Sequence, residues 1–219
     1  MIFRKAARKY YFSVEGETEK WYLEWLAKMI NLQDKSQYKA SIISKIEKDP
    51  LSMAKGLTIT DKTAVTHLCD YESDSQEHNA NFTRVMDRMA AVSSLGKQIK
   101  YSFGYSNFTF ELWIILHKTD CRTSFSDRKQ YLLPINNAFN EAFQNLSEYK
   151  EEKNFKRILA SLKLDDVVSA IERSKAIMRE NAKIHQYREC TYKKFRYYKE
   201  NPSLMIWESV EQILNDCGC

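Results

Sequence analysis

Short apolar runs alternate with helical repeats through the first ~120 residues, and this alternation constrains the fold more than any other feature. It is the pattern of a parallel sheet whose strands are joined by crossover helices. Lys9-Tyr10-Tyr11-Phe12-Ser13-Val14 reads as a strand, followed by a turn at Gly16 and a helix over about 18–30. In that helix Tyr22, Trp25, Leu26, Met29 and Ile30 recur at the 3,4 spacing of one buried face. Residues 38–46 form a second, isoleucine-rich strand. Asp49-Pro50 supplies a cap and a first-turn proline for a short helix that Gly56 ends. Ala64 to Cys69 is a third strand running into Asp70, and a helix follows over about 79–92. Ile99, Tyr101 and Phe103 alternate as a fourth strand, and Ser106-Asn107 offers a cap for an apolar helix over 108–117.

Beyond Thr119 no convincing strand is legible. Four helices are expected there, over about 128–146, 153–162, 165–185 and 203–215, the last opened by Asn201-Pro202. The expected fold is therefore α/β: a four-stranded, mainly parallel sheet flanked by helices over 1–120, then a helical C-terminal region over 121–219. At 219 residues the chain buries enough apolar surface to fold without disulfides or structural metals. Its five cysteines are scattered, and Cys217-Gly218-Cys219 is too closely spaced for a zinc knuckle. Cys69 reads as a small core residue. The basic N-terminus lacks an apolar stretch, and no apolar run approaches the ~18 residues of a membrane span. A cytoplasmic protein with no membrane association is expected.

Ligands bind open parallel sheets at the carboxyl ends of the strands, and two acidic clusters fall there. Glu15-Gly16-Glu17-Thr18-Glu19 follows the first strand, so Glu15 and Glu19 can converge across the turn. Asp70-Tyr71-Glu72-Ser73-Asp74 follows the third. Residues two apart on extended chain share a side, about 6.6 Å apart, which pairs Asp70 with Glu72. Such hard oxygen donors suit Mg²⁺ or Mn²⁺, which keep waters for substrate phosphates. Acids at helix N-termini are also stabilised by the helix dipole alone, at about 0.3–1 kcal/mol each. Two clusters in one small domain favour the metal, because converging carboxylates repel one another without a cation.

Val14-Glu15-Gly16-Glu17-Thr18-Glu19, followed later by Asp70 and Glu72, resembles the Toprim signature, in the Glu-Gly-x-Thr-Glu form of the overcoming-lysogenisation-defect nucleases. The segment from Ser106 to His117 resembles the Ser-Asn-Pro-x-Phe-Glu-Leu-Trp-Leu-Leu-Leu-His segment of the RloB-like family. Asn201-Pro202-Ser203 resembles that family's C-terminal end. The resemblance implies a Toprim-like sheet and a role in prokaryotic antiphage defence, including abortive infection, with a partner AAA-type ATPase. It also implies a metal site of Glu15, Glu19, Asp70 and Glu72. Two positions depart from the pattern: Phe108 stands for a proline, and Glu72 for the second aspartate.

Glu111 is the only acid in its apolar helix, and an unpaired buried carboxylate is costly. Either the helix N-terminus solvates it or it faces the metal site. His117 ends the same helix, as a capping or core histidine or as an acid–base or phosphate-contacting group. Asp74 reads as an outer or solvated acid. The stretch Thr191-Tyr192-Lys193-Lys194-Phe195-Arg196-Tyr197-Tyr198-Lys199 interleaves cations with aromatics, which can neutralise phosphates and stack unpaired bases. Lys193, Lys194, Arg196, Lys199, Tyr192 and Tyr197 are the nucleic-acid-binding candidates. The other reading of this stretch is an amphipathic helix with its rings turned inward. Arg173, Lys175, Arg179, Lys183 and Arg188 extend the positive charge upstream.

Three functions compete. The first is metal-dependent cleavage of a DNA or RNA phosphodiester, tRNA included. Its catalytic candidates are Glu15, Glu19, Asp70, Glu72, Glu111 and His117. The second is a non-catalytic subunit that binds nucleic acid or the ATPase. The third is nucleotidyl transfer, against which no Gly-x-x-x-x-Gly-Lys loop occurs. No Ser-His-Asp, Cys-His or zinc arrangement stands out.

Overall fold

The computed structural model describes residues 5–59, 61–73 and 75–219. Four apolar runs form parallel strands: β1 (Ala7–Val14), β2 (Lys39–Ile46), β3 (Thr63–Tyr71) and β4 (Ile99–Asn107). A fifth strand, β7 (Ser203–Leu204), pairs antiparallel with β4, and the sheet order is β2-β1-β3-β4-β7. From β1 the chain moves outward to β2, then returns to the other side of β1 as β3. The crevice where the strand order reverses thus lies between the carboxyl ends of β1 and β3. Register aligns these ends, with Ser13 opposite His67 and Asp70 opposite Ser106.

The crossovers are α1 (Glu17–Asn31), α2 (Pro50–Gly56) and α3 (Gln76–Ala91). Asp49 caps α2, its carboxylate accepting from the Leu51 amide at 2.9 Å, as the Asp-Pro pair predicts. Ser75 caps α3. After β4 come α4 (Glu111–Leu116), α5 (Leu132–Phe139), α6 (Leu146–Tyr149), α7 (Glu152–Ala160) and α8 (Leu164–Asn181). A hairpin of β5 (Glu189–Tyr192) and β6 (Phe195–Tyr198) precedes β7, and α9 (Ile206–Cys217) ends the fold.

Period-two alternation sends side chains to two apolar clusters, one on each face of the sheet. Phe12, Val14 and Leu68 join α1, α4 and α5 to α9 in the larger cluster. Val65, Cys69, Tyr71, Tyr101, Phe103 and Tyr105 join α2, α3 and the hairpin in the other. Cys69 is the small core residue expected, and all five cysteines are free. Among the described residues, no helix is long and apolar enough to cross a membrane.

Four sequence-based expectations are corrected. The sheet has five strands, because Pro202 does not open a helix. Instead Ser203 and Leu204 meet their backbone needs on the edge of β4, and α9 starts at Ile206. Residues 189–198 form a hairpin where no strand was legible. The expected helix over 128–146 is divided: a 3₁₀ turn over Arg128–Tyr131 leads into α5, which stops at Asn140 in the left-handed region (φ 53°) before Asn145 caps α6. Ser106 and Asn107 do not cap the apolar helix, since β4 runs through both and α4 begins only at Glu111. The Asn107 amide instead donates to the carbonyls of Lys199, at 2.7 Å, and Glu200, at 3.2 Å.

Candidate functional site

Three of the predicted acids gather at the crevice between β1 and β3. Glu15 follows β1 directly, and its Oε2 accepts from the backbone N–H of Asp70, at the end of β3, at 3.4 Å. Glu19 enters from the first turn of α1 and is buried, with the Thr18 hydroxyl donating to its Oε2 at 3.0 Å. Gly16 has an ordinary extended backbone, so its role is spatial: a Cβ there would sit 3.1 Å from Glu19 Oε2.

Glu111 joins them from the opening of α4. It is fully buried, takes a hydrogen bond from Thr109 and pairs with Lys150 Nζ at 3.0 Å. Lys150 follows α6, and nothing in the sequence near Glu111 announces it. The hydroxyl of neighbouring Tyr149 is buried with no hydrogen-bond partner among the described residues.

These acids repel one another. Burial pushes Glu15 up to about 7, opposed by the Asp70 amide and reinforced by the charge of Glu19. Asp70 is driven well above the usual carboxylate range by burial and then by Glu19, Glu15 and Glu111. Glu19 rises through burial, opposed by backbone and Thr18 hydrogen bonds, while Glu111 raises it further. Burial would lower Lys150, but Glu111, Asp70 and Glu19 overcome it and hold the ammonium above its ordinary value.

Glu72 stands at the exposed rim. Its carboxylate accepts from His78 Nε2 at 3.0 Å and lies 3.7 Å from Arg128 Nη1, while the other nitrogen of His78 meets Ser73 Oγ at 2.6 Å. Asp74 lies outside the described residues. His117 is placed elsewhere, in the core. Its Nδ1 faces the Trp113 carbonyl at 2.9 Å, which can only accept, so Nδ1 carries the proton and Nε2 accepts from the Tyr22 hydroxyl at 3.2 Å. Burial lowers its pKa to about 4, so the ring is neutral near pH 7. Roughly 9 Å of helix rise separates it from Glu111.

The basic-aromatic residues lie on the β5–β6 hairpin against α3 and β4. Tyr197 is buried, with ring centroids 6.1 Å from Tyr71 and 5.1 Å from Phe82. The Tyr192 hydroxyl donates to Asp87 at 3.0 Å, Lys193 approaches the same carboxylate at 3.8 Å, and Arg196 approaches Glu189 at 3.6 Å. Phe195, beside the turn at Lys193 and Lys194, packs on Phe103 at 5.6 Å. The turn therefore points toward the starting end of β4, and the carboxylates lie at the other end. Lys199 leads from the hairpin toward β7, its carbonyl held by Asn107.

Glu15 and Asp70 form part of the wall of a cavity of about 710 Å³. Its other walls are the turn from β2 to α2, with Glu47, Lys48 and Asp49, and the outer face of α3, with His78, Asn81, Arg84 and Arg88. Lys48 and Arg84 were not singled out by sequence reasoning. The turn after β2 could have been, since it ends a strand at the same edge of the sheet.

The donor set suits a hard divalent cation. Lys150 offsets the charge of Glu111, Asp70 and Glu19, and Lys48 acts on Glu15; a cation would relieve the repulsion that remains. Among the described residues no three His, Cys, Asp or Glu side chains are gathered closely enough to enclose an ion. An ion there would be held through one or two carboxylates, with water completing its shell. A family model described as RloB-like protein matches residues 10–213. No curated protein and no solved structure matches the chain.

Proposed function

The chain belongs to the RloB-like protein family, and on that premise we propose a Toprim-like nuclease that cleaves DNA or RNA phosphodiesters, tRNA included, in prokaryotic antiphage defence. The supporting observation is the convergence of Glu15, Glu19, Asp70 and Glu111 at the crevice between β1 and β3, where parallel sheets place their ligands. Glu15 and Asp70 would hold Mg²⁺ or Mn²⁺, with Glu19 and Glu72 completing the set. When bound, the ion supplies charge neutralisation for the phosphate and makes water a better nucleophile.

The chain's own groups hold this arrangement in place. The Asp70 amide fixes the Glu15 carboxylate, Thr18 fixes Glu19, and Lys150 with Thr109 fixes Glu111. Burial holds the metal-free Glu15 near 7, so an ion binding there would displace a proton that part of the population carries at neutral pH. A cytoplasmic setting and an AAA-type ATPase partner complete this reading.

One observation favours a non-catalytic subunit that binds nucleic acid or the ATPase: Glu72 is engaged by His78 and Arg128. The deciding experiment incubates the purified protein with labelled DNA, tRNA and other RNA in Mg²⁺, Mn²⁺ or EDTA, beside a Glu15→Ala, Asp70→Ala double variant. Cleavage that needs the metal and vanishes in the variant is expected. No cleavage of any substrate, with the variant binding nucleic acid as wild type does, would leave the subunit reading.

A further inference from the structure

We propose that the cavity beside Glu15 and Asp70 takes a single unpaired nucleotide, which makes the preferred substrate a single-stranded polynucleotide or an unpaired end. This deepens the nuclease reading and rests on it for the cleavage step, while the binding claim stands by itself. Size is the first argument. A volume of about 710 Å³ falls within the range of about 300–1,000 Å³ that accommodates one small molecule. A paired nucleotide reaches such a pocket only after leaving the base stack, at a cost of a few kcal/mol, which an unpaired one avoids.

Charge is the second. Most acids of the outer walls are already matched: Asp49 by Arg88, Glu47 by Lys45 at 3.5 Å and Glu72 by His78. Two cations of the cavity wall close no ion pair among the described residues: Lys48, on the turn after β2, which acts on Glu15 only through its charge, and Arg84, on α3. Among the described residues Arg84 bonds sideways, to Asn81 Oδ1 at 2.9 Å. Both are exposed and available to phosphates flanking a nucleotide in the cavity. The hairpin offers less, because Lys193 and Arg196 face carboxylates and the Tyr197 ring is buried.

The test measures binding apart from cleavage. Dye-labelled DNA and RNA oligonucleotides, single-stranded, blunt-duplex and with overhangs, are titrated in Ca²⁺ and in EDTA by fluorescence anisotropy at several salt concentrations. Single strands and overhangs of either sugar should bind at least about thirtyfold more tightly than blunt duplexes, reflecting the unstacking cost. A Lys48→Ala, Arg84→Ala double variant should lose about tenfold in affinity and flatten the slope of log K against log salt by about 1.4, the value for two phosphate contacts on a single strand. Arg84→Lys should restore about half of that slope change to the Lys48-containing chain lacking Arg84. Lys193→Ala with Lys194→Ala should leave the slope as in wild type. The proposal is overturned by equal or tighter binding of blunt duplexes, or by a double variant with wild-type affinity and slope and an unchanged melting temperature. Cleavage confined to duplexes would also overturn it while sparing the nuclease. Single-strand binding that depends on Arg84, without cleavage in any metal, would sustain it and remove the nuclease.

Discussion

Glu15 and His117 are both buried titratable groups, and they move the stability of the metal-free protein in opposite directions with pH. Glu15 rises from an ordinary 4.5 to about 7, chiefly through burial. Between those values the folded chain holds a proton that the unfolded chain has released, so stability falls as pH rises through that window. His117 is lowered from 6.5 to about 4, also by burial, and His67 to about 3. Below pH 6.5 the unfolded imidazoles take up protons that the folded ones refuse, so these groups lose stability as pH falls. Wild type alone therefore mixes opposed signals, and the difference from Glu15→Gln isolates the part that comes from Glu15 and its coupling to Glu19 and Asp70. Calorimetry in EDTA should show Glu15→Gln more stable than wild type by roughly 10 °C above pH 7, with the gap closing toward pH 4.5. A gap independent of pH would mean that the Glu15 carboxylate is not destabilised by its surroundings. Added Mg²⁺ should narrow the gap from the wild-type side, since a cation on the carboxylates stabilises only the ionised site.

At the scale of elements, α2 is fixed to α3 by one carboxylate with two tasks. Asp49 caps α2 through the Leu51 amide and receives the Arg88 guanidinium on both oxygens. Arg88, first among the causes, holds the Asp49 carboxyl far below the usual range. Asp49→Ala should cost about 1–2 kcal/mol from the lost cap, with little added by the part-exposed ion pair. Asp49→Asn keeps an acceptor for the cap and should cost less than half as much, as urea titration would show; equal losses would place the energy in the ion pair. Asn107 fastens β4 to the approach of β7 in a similar way, its amide reaching the carbonyls of Lys199 and Glu200. Asn107→Ala removes the donor to two part-buried carbonyls, of which Glu200 keeps the Ser203 hydroxyl at 2.8 Å, and should cost about 0.5–1.5 kcal/mol, with faster amide exchange over 199–204 than elsewhere in the sheet. The Asp49 cap was readable, because an Asp-Pro pair acts through local geometry. The Asn107 tie was not: Ser-Asn before an apolar run has the form of a cap, and only the distant Lys199 and Glu200 give the amide its partners. The hairpin stayed hidden for the same reason. Lys193-Lys194 is an unusual turn, and Phe195 and Tyr197 become strand residues only against Phe103, Tyr105 and Tyr71.

Across the whole molecule, the carboxyl-end rule made Glu15, Glu19 and Asp70 legible, since each lies at or beside the end of a run whose pattern is local. Lys150 was invisible, because it reaches Glu111 only through the packing of the C-terminal helices. That packing also joins the two stretches that the sequence suggested separating at residue 120. Leu112, Trp113, Ile114, Ile115 and Leu116 are all fully buried, in one apolar cluster with Phe12 and Leu26 from before them and Tyr131, Val167 and Val210 from after. Uncovering a Leu or Ile side chain of this kind costs about 1.5–3 kcal/mol. Losing the later helices from several at once costs as much as the whole stability of a typical domain, about 5–15 kcal/mol. The fragment 1–120 should therefore fail to fold by itself, eluting as aggregate or showing no cooperative melt by circular dichroism. Co-expressed with 121–219 it should recover a cooperative transition, because the missing cover need not be covalently attached. A soluble 1–120 fragment with its own sharp melt would show that the sheet and first helices carry an independent core, and that the helices over 121–219 are an accessory to it.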